Sequence, residues 1–411
     1  MKRFELIIAV AAITVSCVCC GKIGGGNGNN PYKKLDLTTK SAEFLQKGND
    51  FTFEFIRRVD AAAEKDYIIS PLSMQFLLGM ILDGAQGETS AEICNVLGYG
   101  AGETEAVNEY ALSLLRQLPK LDKKTKISIA NAIFVDDGWP LLDSYKGTVG
   151  KFYEAEVSNL DFQNGPASLK EINGWCSDHT NKLIPKVLDE VDPNMLAYLL
   201  NALYFKSQWK EKFNKTATSE ETFTPEVGAK GKVDMMKQEK EHQYAENDFF
   251  QAVRLRYGNG AFSMVVLLPR EGHKVSDIPG YLLKTDWQAF LRTMIPCEVD
   301  LWLPKFESKY HIKLNDILSD MGMPGSFDPE KADFKAMSDY ALCLSFVQQD
   351  ALIKVDEEGT EAAAVSVGGM AKDMAVAPGD HVVFHADHPF LYLITESSTG
   401  AVLFAGRYSG R

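Results

Sequence analysis

The most informative stretch of the sequence lies near the C-terminus: Glu357-Glu358-Gly359-Thr360-Glu361-Ala362-Ala363-Ala364, followed by VSVGGMAKDMAVAP up to position 378. Its glycines and proline predict a loop, but one much longer than most connections between secondary-structure elements. Read with the period of two that a strand has, one face is small and uncharged, made of Thr360, Ala362, Ala364, Ser366, Gly368 and Met370. The segment could therefore enter a sheet as an extra strand without burying a charge, although a mobile surface loop also fits the pattern.

The remaining composition is that of a large packed globular protein. Of 411 residues, 45% are hydrophobic and 24% are charged, which excludes disorder for most of the chain. A net charge of -13 argues against a protein that binds nucleic acid, because phosphate neutralisation requires clustered Lys and Arg. With no internal repeat and no second linker, residues 37–411 are expected to form a single domain.

The first half of this domain carries helix signals. Ser70 followed by Pro71 predicts a helix start, with a capping hydroxyl and a proline at the first helical position. The buried stripe of this helix is expected to consist of Met74, Leu77, Leu78 and Ile81. Thr89 and Glu92 have the spacing of a capping box and predict a second helix start.

The second half is rich in strand signals. Long apolar segments, several of them apolar on both faces, predict strands at 127–135, 196–205, 262–268, 299–303, 382–384, 390–395 and 401–405. The last two are separated by the turn-rich sequence ESSTG and are expected to form an antiparallel hairpin. The predicted class is α+β with at least one large sheet.

The N-terminus predicts export. Lys2 and Arg3 precede a short apolar run, so residues 1–20 have the layout of a signal peptide. The sequence TVSC ending at Cys17 partly resembles the lipobox of bacterial lipoproteins, which makes Cys17 the lipidation candidate, with Cys19 and Cys20 as competitors. Residues 21–36 begin with the Gly/Asn-rich run GKIGGGNGNN and are expected to be a tether. The protein is thus expected to be an outer-membrane or cell-surface lipoprotein, held to the membrane through its lipid alone, or a secreted protein.

No catalytic or cofactor motif is present in the sequence. There is no G-x-S-x-G, H-E-x-x-H or Walker sequence, so neither an enzyme nor a cofactor is expected. His381, His385 and His388 lie close together, but no cysteine or carboxylate set completes a metal site around them, and no metal is expected. Cys94, Cys176, Cys297 and Cys343 each lie in an apolar stretch and are expected to be buried thiols.

The residues match a known family. The hinge-like stretch 357–364 resembles the hinge of the serpins, and FHADHPFLYLI at 384–394 resembles their C-terminal signature. Further similar stretches follow in the family's order: ISPLS at 69–73, GAQGET at 84–89, ANAIF at 130–134, NALYFK at 201–206 and LPKF at 303–306. The resemblance extends from about residue 40 to residue 411.

The resemblance implies the serpin fold: three β-sheets, eight or nine helices and an exposed reactive centre loop at about 357–380. It also implies a monomeric suicide inhibitor of serine, or cysteine, endopeptidases, which traps the protease as an acyl-enzyme while the cut loop inserts into the central sheet. The targets would be trypsin-like or elastase- or chymotrypsin-like. The alternative is a non-inhibitory binding protein on the same fold, which the small hinge residues disfavour.

The resemblance also assigns residue roles. The hinge comprises Glu357, Gly359, Thr360, Ala362, Ala363 and Ala364; the shutter beneath the central sheet holds Ser70, Ser73, Asn201 and Gln349; and the breach holds Trp209. Many relatives have His-Lys where this chain has Gln349-Asp350, so no imidazole titrates there. Family spacing from Glu357 places the scissile bond after Asp373, with Lys372 and Met374 as competing candidates.

Overall fold

The computed structural model describes residues 30–360 and 381–410. These residues contain nine α-helices and fifteen β-strands. The helices are α1 Thr39–Ala62, α2 Pro71–Gly84, α3 Gly87–Leu97, α4 Thr104–Gln117, α5 Asp143–Phe152, α6 Gly165–His179, α7 Asp277–Leu282, α8 Trp287–Thr293 and α9 Asn315–Met321. The strands are β1 Tyr67–Ile69, β2 Lys126–Asp136, β3 Glu156–Leu160, β4 Ala197–Gln208, β5 Ser219–Phe223, β6 Gly231–Glu246, β7 Phe250–Tyr257, β8 Phe262–Pro269, β9 Ile295–Pro304, β10 Phe306–Lys313, β11 Gln348–Val355, β12 Gly359–Thr360, β13 His381–His385, β14 Phe390–Glu396 and β15 Val402–Tyr408. The predicted α+β class is confirmed.

The six-stranded sheet has the order β10-β11-β12-β4-β2-β3. Strand β12 lies between β11 and β4 and is only two residues long. It pairs with β11 through Thr360 and Val355. On its other side β12 pairs with the end of β4, where Gly359 faces Gln208 and Thr360 faces Ser207. Among the described residues no other strand joins β4 to β11, so the sheet stays open over most of their length.

The remaining nine strands form one continuous ladder, β1-β15-β14-β8-β7-β6-β9-β13, with β5 paired to β6. The long strand β6 links two groups within it: residues 243–246 pair with β7, whereas residues 235–244 pair with β9. With the six-stranded sheet, the described residues therefore contain three groups of strands, as the resemblance implies.

Most sequence-based element predictions are confirmed. Each of the seven apolar segments lies on a strand, and β14 and β15 form the expected antiparallel hairpin. Ser70 caps α2, since its side chain accepts the N–H of Ser73, and the predicted stripe of α2 is buried. This helix packs against both β4 and β15 and so lies between the two sheet systems.

The capping box predicted at Thr89 and Glu92 is wrong. Helix α3 begins at Gly87, two residues before Thr89, so the hydroxyl and the carboxylate lie inside the helix rather than at its cap. Both side chains accept hydrogen bonds from a distant segment: Thr89 from the N–H of Asp333 at 2.9 Å, and Glu92 from the N–H of Gly325 at 3.0 Å. Tertiary contacts thus use the groups that local spacing had assigned to a cap.

The four cysteines of the domain are not equivalent. Cys94, Cys176 and Cys297 are buried, as expected. Cys343 is only partly buried, because it lies in a segment, 341–347, that forms neither helix nor strand. Within 30–360 and 381–410, no helix is both long and apolar enough to cross a membrane.

The described part of the predicted tether, residues 30–36, lies against the domain. The Asn30 side chain donates to Asp122 at 2.7 Å, and the N–H of Leu35 donates to Ser398 at 3.2 Å. Leu35 is buried and belongs to the same core as Tyr408.

Candidate functional site: a hinge seated at the top of an open sheet

A tight turn places the hinge between two strands. The carboxylate of Asp356 accepts the N–H groups of Glu358 at 2.8 Å and of Gly359 at 3.2 Å, which reverses the chain after β11. A Cβ atom on Gly359 would lie 2.1 Å from the carbonyl oxygen of Ser207, so only glycine fits this close approach. The turn therefore directs Thr360 into the sheet.

Thr360 is the deepest described residue of the hinge. It is 2% exposed, and its hydroxyl is hydrogen-bonded to that of Tyr257 at 2.5 Å. Tyr257 stacks on Trp209 with ring centroids 4.5 Å apart. Trp209 in turn donates from its indole to the carbonyl of Asp356 at 2.8 Å. The predicted breach residue Trp209 thus contacts the hinge turn directly.

Two glutamates anchor the turn through charge. Glu358 forms ion pairs with Lys212 at 2.6 Å and with Lys215 at 3.2 Å. Glu357, 5% exposed, accepts from Lys305 at 3.2 Å and from Thr218 at 2.9 Å. Burial opposes ionisation of Glu357, but its hydrogen bonds and the Lys305 charge outweigh burial and lower the pKa. The hinge is consequently held by buried or half-buried ion pairs.

No local pattern around the hinge indicates these lysine partners. Lys305 lies 52 residues from Glu357, and Lys212 lies 146 residues from Glu358. Lys305 stands in the LPKF stretch that resembles the family, which is the only signal in the sequence that could have singled it out.

The predicted shutter residues lie together beneath the open part of the sheet. The Gln349 side chain accepts the N–H of Ser70 and donates to its carbonyl, both at 2.9 Å. The Ser70 hydroxyl donates to the carbonyl of Leu403 on β15 at 2.7 Å. The hydroxyl of Ser73 is hydrogen-bonded to the side-chain oxygen of Asn201 on β4. The N-terminus of α2 is thus tied to β4, to β11 and to β15.

A chain of buried polar groups continues from Asn201 into the core. Asn201 donates to Asn131 at 2.6 Å, and Asn131 donates to the carbonyl of Tyr153, also at 2.6 Å. The Tyr153 hydroxyl donates to Asn108 at 2.8 Å, and Asn108 donates to Asp83 at 2.7 Å. Burial raises the pKa of Asp83 to about 6, although the hydrogen bond from Asn108 acts to lower it.

A cavity of about 300 Å³ occupies the opening between β4 and β11. Its wall includes Ser70, Ser73, Asn201 and Gln349. A smaller cavity of about 20 Å³ lies nearer the hinge and is lined by residues of both strands and by Thr360. The opening therefore extends from the seated hinge towards the shutter.

The three C-terminal histidines each pair with a different acid. His381 lies 3.0 Å from Glu239, His385 lies 2.8 Å from Asp300, and His388 lies 2.9 Å from Asp387. In 30–360 and 381–410, no group of three His, Cys, Asp or Glu side chains is placed to hold a metal ion.

Several predicted site residues lie outside the described ranges. These are the hinge alanines, the scissile-bond candidates and the lipidation candidate, namely Ala362, Ala363, Ala364, Lys372, Asp373, Met374 and Cys17.

The site therefore consists of a two-residue strand at one end of an otherwise open sheet and a cluster of polar side chains further along the opening. The family description "Serpin (serine protease inhibitor)" matches residues 46–410, and the chain belongs to this family. An uncharacterised serpin-like protein of Thermococcus kodakarensis is 33% identical, with 99% of this chain and 98% of that protein covered.

Solved structures show the same fold. The thermophilic serpin tengpin in its native state superposes with a TM-score of 0.81 at 28% identity, covering 93% of this chain and 97% of tengpin. Human thyroxine-binding globulin, solved with its hormone, gives a TM-score of 0.79 at 26% identity, covering 90% and 98%. Serpins are in general protease inhibitors rather than enzymes, and the family includes binding proteins such as this globulin.

Proposed function

We propose that the protein is a suicide inhibitor of serine endopeptidases. The observation that carries the proposal is the seating of Thr360 between β4 and β11, at the head of an opening that continues to Gln349. A strand that follows Thr360 would find two unoccupied strand edges there, and paired edges are more stable than open ones.

The inhibition would run through the protease's own chemistry. The protease serine attacks the carbonyl carbon at the scissile bond, an ester forms, and the amine of the next residue leaves. The freed strand then enters the sheet below Thr360 and carries the acylated protease with it. Distortion of the protease displaces its oxyanion hole, so water no longer completes hydrolysis. The open sheet stores the driving force, and the hinge contacts hold it back kinetically.

A non-inhibitory binding protein is the alternative, since thyroxine-binding globulin shares the fold. The small and uncharged series Thr360, Ala362, Ala364 favours the inhibitor, because it can be buried without a desolvated charge.

Incubation with trypsin, pancreatic elastase and chymotrypsin tests the proposal. A denaturant-resistant adduct with at least one of them, absent with the same protease blocked at its serine, is the expected result. A single loop cut should also raise the thermal midpoint strongly, because insertion fills the open sheet. Cleavage by all three without adduct and without a gain in thermal midpoint would favour the binding protein.

We further propose that cleavage falls around Asp373. Lys372 would suit a trypsin-like pocket that carries a carboxylate, and Met374 would suit an apolar pocket. The mass of the C-terminal fragment released by trypsin and by elastase measures the bond. Fragments that begin outside 373–375 with both enzymes would contradict this placement.

We also propose that the chain is exported and anchored through Cys17, as a member of a bacterial lipoprotein type. Cys17→Ala should release the protein from membranes into the soluble fraction, because the acyl chains supply the binding energy. Cys19→Ala and Cys20→Ala test the two competing lipidation sites in the same way. Unchanged partitioning of all three variants would remove the anchor and leave a secreted protein.

A further inference from the structure

A cleft opens where β6 separates from β7. The two strands pair only as far as Gln243 and Arg254; beyond that point β6 continues alongside β9. The freed end of β7 is bonded instead to the segment after β4, where the N–H of Lys210 donates to the carbonyl of Arg256 at 2.8 Å. The space between has a volume of about 470 Å³, within the range of small-molecule sites.

Three basic side chains that form no ion pair with a described acid line this cleft. Arg254 is 8% exposed, and within the described ranges its one hydrogen bond runs from Nη1 to Gln243 at 3.1 Å, leaving Nε and Nη2 without a partner. Arg256 and Lys210 are exposed, and neither forms an ion pair with a described acid. Burial, with the Arg256 charge, lowers the pKa of Arg254 to about 10, so it is still a cation at neutral pH.

Neutral polar groups on the same wall also lack partners. Both amide atoms of Gln238 and the Nε2 atom of His242 are buried without a hydrogen bond in the described part of the chain. Burial lowers the pKa of His242 to about 4, helped by Lys240 and Arg256, so its ring is neutral. Buried polar groups left in this state cost free energy that a bound ligand would offset.

Four acids also line the cleft, and two of them are engaged with a lysine or a histidine. Glu211 pairs with Lys240 at 3.1 Å, and Glu239 pairs with His381 at 3.0 Å. Glu241 and Glu298 are opposite each other in the β6–β9 register and exposed. Because side chains alternate along a strand, 239 and 241 project from the face opposite 238, 240 and 242.

The remaining lining is apolar and is formed by Trp209, Phe213, Leu255 and Pro296. We propose that this cleft binds a small organic acid, with its carboxylate or sulfonate group towards Arg254 and Arg256 and its apolar body against Trp209 and Phe213. A charged group paired with a guanidinium and an amide forms the strongest hydrogen bonds available to such a site.

Titration of the full chain with 1-anilinonaphthalene-8-sulfonate, an apolar sulfonate, tests this site by fluorescence and calorimetry. Arg254→Gln should weaken binding about tenfold or more, because a charged hydrogen bond is lost. Arg256→Gln should weaken it several-fold. Arg292→Gln, an exposed arginine on α8, is the matched control and should leave the affinity unchanged. The uncharged analogue N-phenyl-1-naphthylamine should bind about tenfold more weakly than the sulfonate.

Wild-type affinity in both Arg254→Gln and Arg256→Gln would overturn the site, as would equal affinity for the uncharged analogue or no binding of the sulfonate up to about 1 mM. If Arg254→Gln does not fold by circular dichroism, the double variant Lys210→Gln/Arg256→Gln decides, since both residues are exposed. Unaltered affinity in that double variant would then overturn the site. None of these outcomes depends on protease inhibition.

Discussion

The side-chain amide of Gln349 satisfies both backbone hydrogen-bonding groups of Ser70, accepting from its N–H and donating to its carbonyl at 2.9 Å each. Ser70 lies at the N-terminus of α2, and Gln349 lies on β11 at the edge of the open sheet. One uncharged side chain therefore fixes the position of that edge relative to the helix. Because an amide does not titrate, this contact is independent of pH.

Replacement of Gln349 by histidine should make the contact pH-dependent. A neutral imidazole can accept from one nitrogen and donate from the other, but protonation removes the acceptor. The folded-state pKa would lie below the unfolded value of about 6.5, so stability is lost as pH falls through 6.5, by up to about 1.4 kcal/mol per pH unit. Urea unfolding midpoints of Gln349→His and wild type between pH 8 and pH 5 measure the difference.

Gln163→His is the control for this variant, since Gln163 is exposed and its side chain donates to the carbonyl of Pro193 instead. Its midpoint should follow the wild-type pH profile. Parallel profiles for all three proteins would show that the Ser70 contact does not determine the stability of the edge.

Asp83 should make the stability of the protein fall as pH rises, which is the opposite of the effect expected for Gln349→His. Burial raises its folded pKa to about 6 from 3.8, so the folded state binds the proton more tightly and stability falls as pH rises from 4 to 6. Asp83→Asn removes this cost and should be up to about 3 kcal/mol more stable than wild type at pH 7, with little difference at pH 4. Urea midpoints at the two pH values measure it, with the exposed Asp137→Asn as control. An equal effect of Asp83→Asn at both pH values would contradict the expectation.

Much of the fold could be predicted because its central strands are apolar on both faces. Strands β8 and β14 follow this pattern, since every residue in each of them is buried. Strand β6 could not be predicted, because Lys, Asp and Glu alternate along most of its sixteen residues. Its first part lies at the surface beside β5 and β9, and only tertiary pairing makes it a strand.

The candidate site likewise contains residues that could be predicted from the sequence and residues that could not. Gly359 and Thr360 could be identified because a glycine followed by a small, uncharged face has a direct steric meaning. Asp83 could not be connected with Asn201, because three side chains from distant segments lie between them. Short-range patterns indicate what a segment can do, whereas its hydrogen-bonding partners depend on the complete fold.

Glu357 should stabilise the seated hinge through its charge. Glu357→Gln keeps the shape of the side chain but loses the ion pair with Lys305, and should lower the free energy of unfolding by about 1–3 kcal/mol at pH 7. Its pKa is lowered in the folded state, so the stabilisation is present above the unfolded pKa of about 4.3 and is lost as pH falls through the folded value. Chemical denaturation at pH 7 and pH 3.5 measures both effects.

Glu307→Gln is the matched control for Glu357→Gln. Glu307 pairs with Lys354 at 3.2 Å between the neighbouring strands β10 and β11, but both side chains are about half exposed. Its loss should change the unfolding free energy by less than about 0.5 kcal/mol. Equal effects of the two variants would mean that burial adds nothing to the Glu357 contact.

Thr360→Arg should convert the proposed inhibitor into a substrate. Thr360 is 2% exposed and hydrogen-bonded to Tyr257, so a guanidinium at this position would be forced into a buried site without an acidic partner. Residue 360 would no longer fit between β4 and β11, and strand insertion would become slower than hydrolysis of the acyl-enzyme. With a protease that forms an adduct with wild type, the variant should be cleaved at an equal rate but yield little adduct on a denaturing gel. Thr360→Val, which keeps the size and loses only the hydroxyl, should retain most of the adduct yield, so that a loss common to both variants would point to the Tyr257 hydrogen bond instead. Equal adduct yield for Thr360→Arg and wild type, with both proteins folded by circular dichroism, would contradict strand insertion at this seat.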